Sequence, residues 1–119
     1  MNMNAQLFVK SLYECVDNKD VEGLAEKLNE TIFFKFSNLE AVIGLNNVLE
    51  ANAGFFSSIQ SMKHLINDVW QQSDNIICNG QVHYVRHDGS KYSAEFATIL
   101  KVVDQKISNY LIYADVSGL

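Results

Sequence analysis

The second half of the chain most constrains the fold. After Ser61 the residue pattern favours four long strands, over residues 62–72, 76–87, 91–103 and 106–115. Among the breaks between them, Asp88-Gly89 is the strongest hairpin signal, because both residues tolerate positive φ. Asp104-Gln105 is a weaker signal, since glutamine takes positive φ poorly. Strands that follow one another in this way predict an antiparallel meander.

The first half of the chain has helical spacing instead. Apolar residues recur at intervals of three and four over residues 5–16, and Asp17-Asn18 is typical of a helix end. A second, shorter helix is predicted to begin at Asp20, whose side chain can cap it, with an apolar stripe that reaches Leu28.

A strand and a third helix precede the meander. Residues 31–36 are rich in β-branched and aromatic side chains and predict a strand, with a short return strand over 39–43. Asn47 and Glu50 form a capping-box-like pair that predicts the start of the third helix. Helices followed by an antiparallel meander predict an α+β fold.

Composition limits the classes of partner. The chain has 119 residues with 48% apolar and 19% charged side chains, which suits one globular domain over residues 1–119. Nine Lys and Arg against 14 Asp and Glu give a net charge of −5, and Arg86 is the one arginine. This acidic balance argues against nucleic acid and anionic membranes as partners.

The cysteines and the N-terminus bear on location. The first residues lack the basic start and apolar stretch of a signal peptide, and no apolar run approaches the roughly 18 residues that span a bilayer. Cys15 and Cys78 lie far apart in sequence and are expected to be reduced, buried thiols. We therefore expect a cytoplasmic protein.

No pattern indicates a metal or a cofactor. His83 and His87 are four residues apart, but on a strand that spacing is about 13 Å, too far for one metal ion. The six glycines form no phosphate-binding loop or dinucleotide fingerprint. We expect neither a metal nor a cofactor.

The order of helix, helix, strand, helix and meander resembles the nuclear transport factor 2-like superfamily, in its SnoaL-like branch. Local similarities accompany that order, in residues 20–24, 44–48, 62–66, 84–89, 103–107 and 112–115. The resemblance implies an α+β fold of the cystatin-like type, with a cone-shaped, curved, mixed but mostly antiparallel sheet wrapped around about three helices. It also implies a homodimer that forms through the sheet, and an apolar pocket inside the cone. It does not imply one reaction, because this scaffold hosts isomerases, dehydratases, epoxide hydrolases, cyclases and binding proteins.

Branches of the superfamily differ in how well they match. The ketosteroid isomerase-like branch has a carboxylate at the end of the first strand, where residues 34–38 here contain no acid. The limonene epoxide hydrolase-like branch needs an Asp-Arg-Asp arrangement, and no two acids can be assigned to Arg86. Some SnoaL-like cyclases have a His on the strand after the third helix and an Asp that ends the last strand. These positions correspond to His64 and Asp115.

The strand order supports the same pair. His64 begins the first meander strand and Asp115 ends the fourth, so both lie at one end of the sheet. A carboxylate beside one imidazole nitrogen would leave the other as a base, and Tyr13 or Tyr84 would polarise a carbonyl. In the alternative interpretation, His64 is a hydrogen-bonded residue of the pocket wall and Asp115 binds local backbone donors. Asp68, which shares a predicted face with His64, stays open as the acid.

The candidate pocket is aromatic. Its predicted lining residues are Tyr13, Phe34, Phe56, Trp70, Tyr84, Phe96 and Tyr113. The alternative is that these rings form an ordinary filled core.

The last strand is apolar on both faces, which favours helices on one face and a second subunit on the other. Two functions follow as hypotheses. One is an enzyme with lyase-, isomerase- or cyclase-like acid–base chemistry on a small apolar molecule. The other is a non-catalytic ligand-binding or dimerisation module.

Overall fold

The computed structural model describes residues 4–119. In chain order the elements are α1 (Ala5–Asp17), α2 (Val21–Lys27), β1 (Leu28–Phe36), β2 (Val42–Ile43), α3 (Leu45–Ser57), β3 (Ser61–Gln72), β4 (Asn75–Val85), β5 (Lys91–Val103) and β6 (Lys106–Ala114). No helix within this described part is long and apolar enough to cross a membrane.

The six strands form one curled sheet in the order β2-β1-β6-β5-β4-β3. β1 pairs in parallel with β6, and every other pair of neighbouring strands is antiparallel. The sheet remains unclosed, with β3 at one edge and β2 at the other. This arrangement confirms the predicted α+β class and its mixed, mostly antiparallel sheet around three helices.

Helix α1 forms as its spacing predicts. Asn4 caps it by accepting a 3.1 Å hydrogen bond from the Leu7 amide. Its apolar stripe, which includes the fully buried Val9 and Leu12, packs against the concave face of the sheet. The helix therefore brings the residues at its C-terminal end close to β3.

Several predicted boundaries were wrong, and two of them have a clear physical reason. β1 begins at Leu28, which the helical stripe had included, because burial of Leu28 and Ile32 within the sheet outweighs the local helical spacing. Helix α3 begins at Leu45 after Gly44, whose φ of +95° suits glycine. Asn47 therefore lies inside the helix, where its side chain donates to the Ile43 carbonyl.

The two hairpin signals rank in the opposite order from the prediction. Asp104 and Gln105 both have positive φ, 52° and 64°, and form a tight two-residue turn between β5 and β6. The Asp88-Gly89 pair lies in a longer loop in which, of the two, Gly89 alone has positive φ. Asp88 instead accepts a hydrogen bond from the Ser90 amide, an Asx-type turn that a two-residue hairpin would not allow.

A β-bulge in β3 decides which side chains face the inside of the sheet. The pairing with β4 shifts between Ile66 and Asp68, opposite Gly80. A Cβ atom at Gly80 would lie 1.8 Å from the Leu65 carbonyl oxygen, so the bulge requires glycine. Because the bulge inserts one residue, the alternation of faces reverses beyond it, and Trp70 is 52% exposed.

Candidate functional site

A cavity of about 240 Å³ lies between the helices and the concave face of the sheet. Leu39 and Glu40 are exposed and mark its mouth. The lining side chains are mostly apolar and aromatic and come from α1, α3, the sheet and the segments beside it. They are Tyr13, Val16, Phe34, Phe36, Leu39, Glu40, Val42, Ala51, Asn52, Phe55, Phe56, Met62, His64, Tyr84, Phe96, Tyr110, Ile112, Ala114 and Val116.

His64 is held at the cavity wall by Asp17. The Asp17 Oδ1 atom lies 2.6 Å from His64 Nδ1, and Oδ2 accepts a 2.9 Å hydrogen bond from the His64 amide. A carboxylate only accepts hydrogen bonds, so it fixes the tautomer with the proton on Nδ1 and leaves Nε2 for a ligand. The two side chains are 9% and 12% exposed, which limits the competition from water.

The edge position of β3 explains why Asp17 can bind both the ring and the backbone amide of His64. An edge strand has amide groups with no neighbouring strand to accept from them, and the His64 amide donates to the helix side chain instead. Lys19, just beyond α1, donates to the Ile59 and Gln60 carbonyls immediately before β3. These contacts fix the end of α1 against the strand.

Tyr13 packs against the imidazole. Its ring centroid lies 4.4 Å from that of His64, and its hydroxyl is 2.6 Å from Thr98 Oγ1 in the core. Thr98 is fully buried, and burial raises the pKa of Tyr13 well above its ordinary value. Tyr13 is therefore a neutral side chain whose hydroxyl is engaged with Thr98.

Tyr84 is the better candidate for hydrogen bonding to a ligand. It is 3% exposed and lines the cavity, and no residue of the described chain forms a hydrogen bond with its hydroxyl. Burial raises the pKa of Tyr84 to about 12, and the charge of Asp17 adds to the effect. The phenol thus keeps its proton at neutral pH and can donate it to an acceptor in the cavity. Asn52 provides a further polar group in the wall.

The structure separates the predicted pocket residues into two groups. Five of them line the cavity, namely Tyr13, Phe34, Phe56, Tyr84 and Phe96. Trp70 and Tyr113 lie on the convex face instead, 52% and 48% exposed. The bulge in β3 moves Trp70 to that face, and strand alternation moves Tyr113 there, since its neighbours Ile112 and Ala114 line the cavity.

The predicted pairing of His64 with Asp115 was wrong. Asp115 follows β6 on the exposed side, and its Oδ1 accepts from the amide and hydroxyl of Ser117. These bonds hold the pKa of Asp115 below its ordinary value. Asp68, the other acid considered, is exposed and lies beyond the bulge, outside the cavity lining.

Asp17 was missed because it was interpreted only as a helix end. It lies four residues after Tyr13, on the same face of α1 and in line with the apolar stripe. An acid at a helix C-terminus is also unfavourable with respect to the helix dipole. A carboxylate in that position needs a compensating partner from another element, and His64 is that partner.

The cysteines and the potential metal ligands were also considered as parts of a site. Cys15 and Cys78 are free thiols, and burial raises the pKa of Cys78 to about 11. Within residues 4–119 no three His, Cys, Asp or Glu side chains are grouped as a metal site.

The model of the SnoaL-like domain matches residues 9–110. The chain belongs to the SnoaL-like family. No curated protein matches the sequence significantly.

Solved structures share the SnoaL-like fold at low sequence identity. A protein from Jannaschia sp. CCS1, provisionally named a SnoaL-like polyketide cyclase, has a TM-score of 0.83 at 14% identity over 96% of this chain and 87% of its own. A nuclear transport factor 2-like protein of unknown function from Burkholderia pseudomallei has a TM-score of 0.86 at 13% identity over 98% and 95%. A limonene epoxide hydrolase-like enzyme from Mycobacterium tuberculosis has a TM-score of 0.82 at 12% identity over 95% and 84%. These likenesses establish the fold.

Proposed function

We propose that this SnoaL-like protein binds a small, mostly apolar molecule in its cavity and transfers a proton to or from it through His64. The observation that carries the proposal is the pair of hydrogen bonds between His64 and Asp17 at the wall of the cavity, one from the ring and one from the backbone amide. Asp17 holds the ring through Nδ1 and the backbone through the amide, so the imidazole is fixed in tautomer and orientation and its Nε2 is left for a ligand.

The geometry suits proton removal next to a carbonyl. Nε2 of His64 accepts the proton from carbon, the electron pair moves onto the carbonyl oxygen, and the resulting imidazolium is stabilised by Asp17. The hydroxyl of Tyr84 donates a hydrogen bond to the oxygen as negative charge develops. Return of the proton to the same carbon gives exchange, and its return to another carbon of a conjugated enolate completes an isomerisation. In a cyclisation the enolate carbon instead attacks a second carbonyl of the molecule, and the imidazolium gives its proton to the alkoxide that forms. The cyclase and epoxide hydrolase names of two structural neighbours agree with small-molecule chemistry of this kind.

Deuterium exchange tests the proposal without the natural substrate. In D₂O, the protein is expected to accelerate exchange of the α-protons of 1-indanone, a small flat ketone, as followed by NMR. His64→Gln should abolish the acceleration, because glutamine cannot take up the proton. His83→Gln is the matched control, since His83 is exposed on the convex face and is hydrogen-bonded to Ser93.

Two outcomes contradict proton transfer by His64. One is exchange no faster than that given by free imidazole at the same concentration. The other is equal exchange by the wild type and His64→Gln. If the ketone binds but does not exchange, the non-catalytic ligand-binding module becomes the better interpretation.

We further propose that the protein is a homodimer that forms through the convex face of the sheet. A row of apolar side chains crosses four strands in direct register, from Trp70 through Ile77 and Ile99 to Leu111. Trp70 and Ile77 are 52% and 36% exposed. A contiguous apolar row on a sheet is typical of a surface that a second subunit covers.

Sedimentation tests the dimer. The wild type is expected to sediment as a dimer at tens of micromolar, and the double variant Trp70→Lys/Ile77→Lys as a monomer. Leu7→Lys is the control, because Leu7 is 62% exposed but lies on α1, away from the row. A wild type that sediments as a monomer would exclude the dimer.

We also propose a cytoplasmic location. Both cysteines are free thiols, as expected in a reducing compartment. Fractionation of the cells that produce the protein, with antibody detection, tests this, and recovery outside the cytoplasm would refute it.

A further inference from the structure

We propose that the ligand of the cavity carries a positive charge, as an ammonium group substituted with apolar groups. This inference rests on the proposed function, because it names the class of molecule that the same cavity would bind. It follows from the charges around the cavity, from its aromatic wall and from its size.

The charges around the cavity favour a cation. Among residues 4–119 no lysine or arginine lines the cavity, and the one charged side chain at its mouth is Glu40. Behind the wall, Asp17 contacts the His64 imidazole and the His64 amide. While the imidazole is neutral, as a proton acceptor must be, the His64–Asp17 pair carries a net negative charge. An anionic ligand would enter with no lysine or arginine in the wall to compensate its charge, whereas a cation would meet two carboxylates.

The wall is aromatic on nearly every side. Aromatic rings line the cavity from two helices, α1 and α3, and from the strands β1, β4, β5 and β6. They belong to Tyr13, Phe34, Phe55, Tyr84, Phe96 and Tyr110. Phe34 and Tyr110 meet at 87°, and Phe55 and Tyr84 at 83°, so neighbouring rings present different orientations. The faces of such rings are electron-rich and attract a cation within about 6 Å of the ring centre.

The cavity is small enough for these rings to act together. Its 240 Å³ lies below the roughly 300–1,000 Å³ of sites for drug-sized ligands. A ligand near its centre therefore lies close to several rings at once. Alkyl groups on the nitrogen also suit this wall, because its few hydrogen-bonding groups could not replace the water around a primary ammonium.

Three probes of similar shape but different charge test the inference. Phenyltrimethylammonium, tert-butylbenzene and benzenesulfonate are each titrated into the protein, and binding is located by NMR through the signals of the Met62 methyl and the His64 ring, which line the cavity. The cation is expected to bind about tenfold more tightly than its neutral isostere, and the anion to bind most weakly. Glu40→Gln should weaken binding of the cation about threefold and leave binding of tert-butylbenzene unchanged. Glu95→Gln, an exposed carboxylate of β5 outside the cavity lining, is the control.

The outcomes separate the two proposals. Equal or tighter binding of tert-butylbenzene, or tightest binding of benzenesulfonate, overturns the cationic ligand and leaves a ligand-binding cavity intact. If none of the three probes shifts the Met62 and His64 signals, both the cationic ligand and small-molecule binding in this cavity are overturned. An effect of Glu95→Gln as large as that of Glu40→Gln would assign the preference to the overall charge of the protein rather than to the cavity.

Discussion

The concave and convex faces of the sheet are built from the same strands, and both carry apolar side chains, but polar side chains of the concave face are buried whereas those of the convex face, such as His83, are exposed. On the concave face His64, Tyr13 and Thr98 are buried or nearly so and are held by short hydrogen bonds. On the convex face the row from Trp70 to Leu111 contains no polar side chain. This difference is the basis for the two proposals, proton transfer on the concave face and subunit contact on the convex face.

The bulge in β3 determines which residues of that strand face the concave side and which face the convex side. Before it, His64 and Ile66 turn towards the concave face, and after it Val69 does so while Trp70 turns outward. An unbulged strand would place Trp70 on the same face as His64. The glycine opposite the bulge is therefore the residue on which the distinction between the faces most depends.

Gly80→Ala should give the largest effect. The new methyl group would overlap the Leu65 carbonyl, so either the bulge or the pairing of β3 with β4 must shift. We expect a loss of about 3 kcal/mol or more in the free energy of unfolding, measured by urea denaturation. Gly54→Ala is the control: a Cβ there meets nothing within 4 Å, and alanine in a helix should stabilise by up to about 1 kcal/mol. Equal stability of the two variants would show that the bulge is not constrained by Gly80.

Thr98→Val should have a smaller effect, confined to the concave side. Valine keeps the shape but removes the partner of the buried Tyr13 hydroxyl, at an expected cost of about 1–3 kcal/mol. Thr31→Val, at an exposed position of β1, should be close to neutral by the same measurement. If the double variant Tyr13→Phe/Thr98→Val is no more stable than the sum of the single changes predicts, the two hydroxyls are not energetically coupled.

Sequence patterns predicted the fold well because its elements are long and periodic. The strand over residues 91–103 has the predicted bounds, and α1 has the predicted stripe. The bulge opposite Gly80 has no comparable signal, since its cause is the close approach of two strands, so Trp70 was assigned to the wrong face. His64 was identified from the resemblance to SnoaL-like cyclases and from its place on the first meander strand, whereas its partner Asp17 lies 47 residues earlier, at the end of α1. Sequence spacing within the meander could not indicate that contact.

Tyr84 on the concave face should make the stability of the protein depend on pH in the alkaline range. Burial raises the pKa of Tyr84 to about 12, while in the unfolded chain a tyrosine ionises near pH 10. Between these values the folded protein binds more protons than the unfolded one, so stability should fall as pH rises from about 10 to 12. Urea midpoints across this range test it, and Tyr84→Phe should make the decline less steep. If the stability of Tyr84→Phe falls with pH as steeply as that of the wild type, folding does not raise the pKa of Tyr84.

The smallest effect is expected from substitution of Asp115, the acid that the sequence analysis paired with His64. Asp115→Asn should leave the His64 ring unchanged, because the Asp115 carboxylate binds only the amide and hydroxyl of Ser117 among the residues described. Asp17→Asn places an amide against Nδ1, and the amide can donate as well as accept, so the tautomer is no longer fixed. The ring nitrogen shifts in ¹⁵N NMR distinguish the tautomers directly. A change in those shifts with Asp115→Asn but not with Asp17→Asn would show that Asp115, after β6, is the acid that fixes the His64 tautomer. The converse would show that the end of α1, and not the end of β6, provides the acid that orients His64.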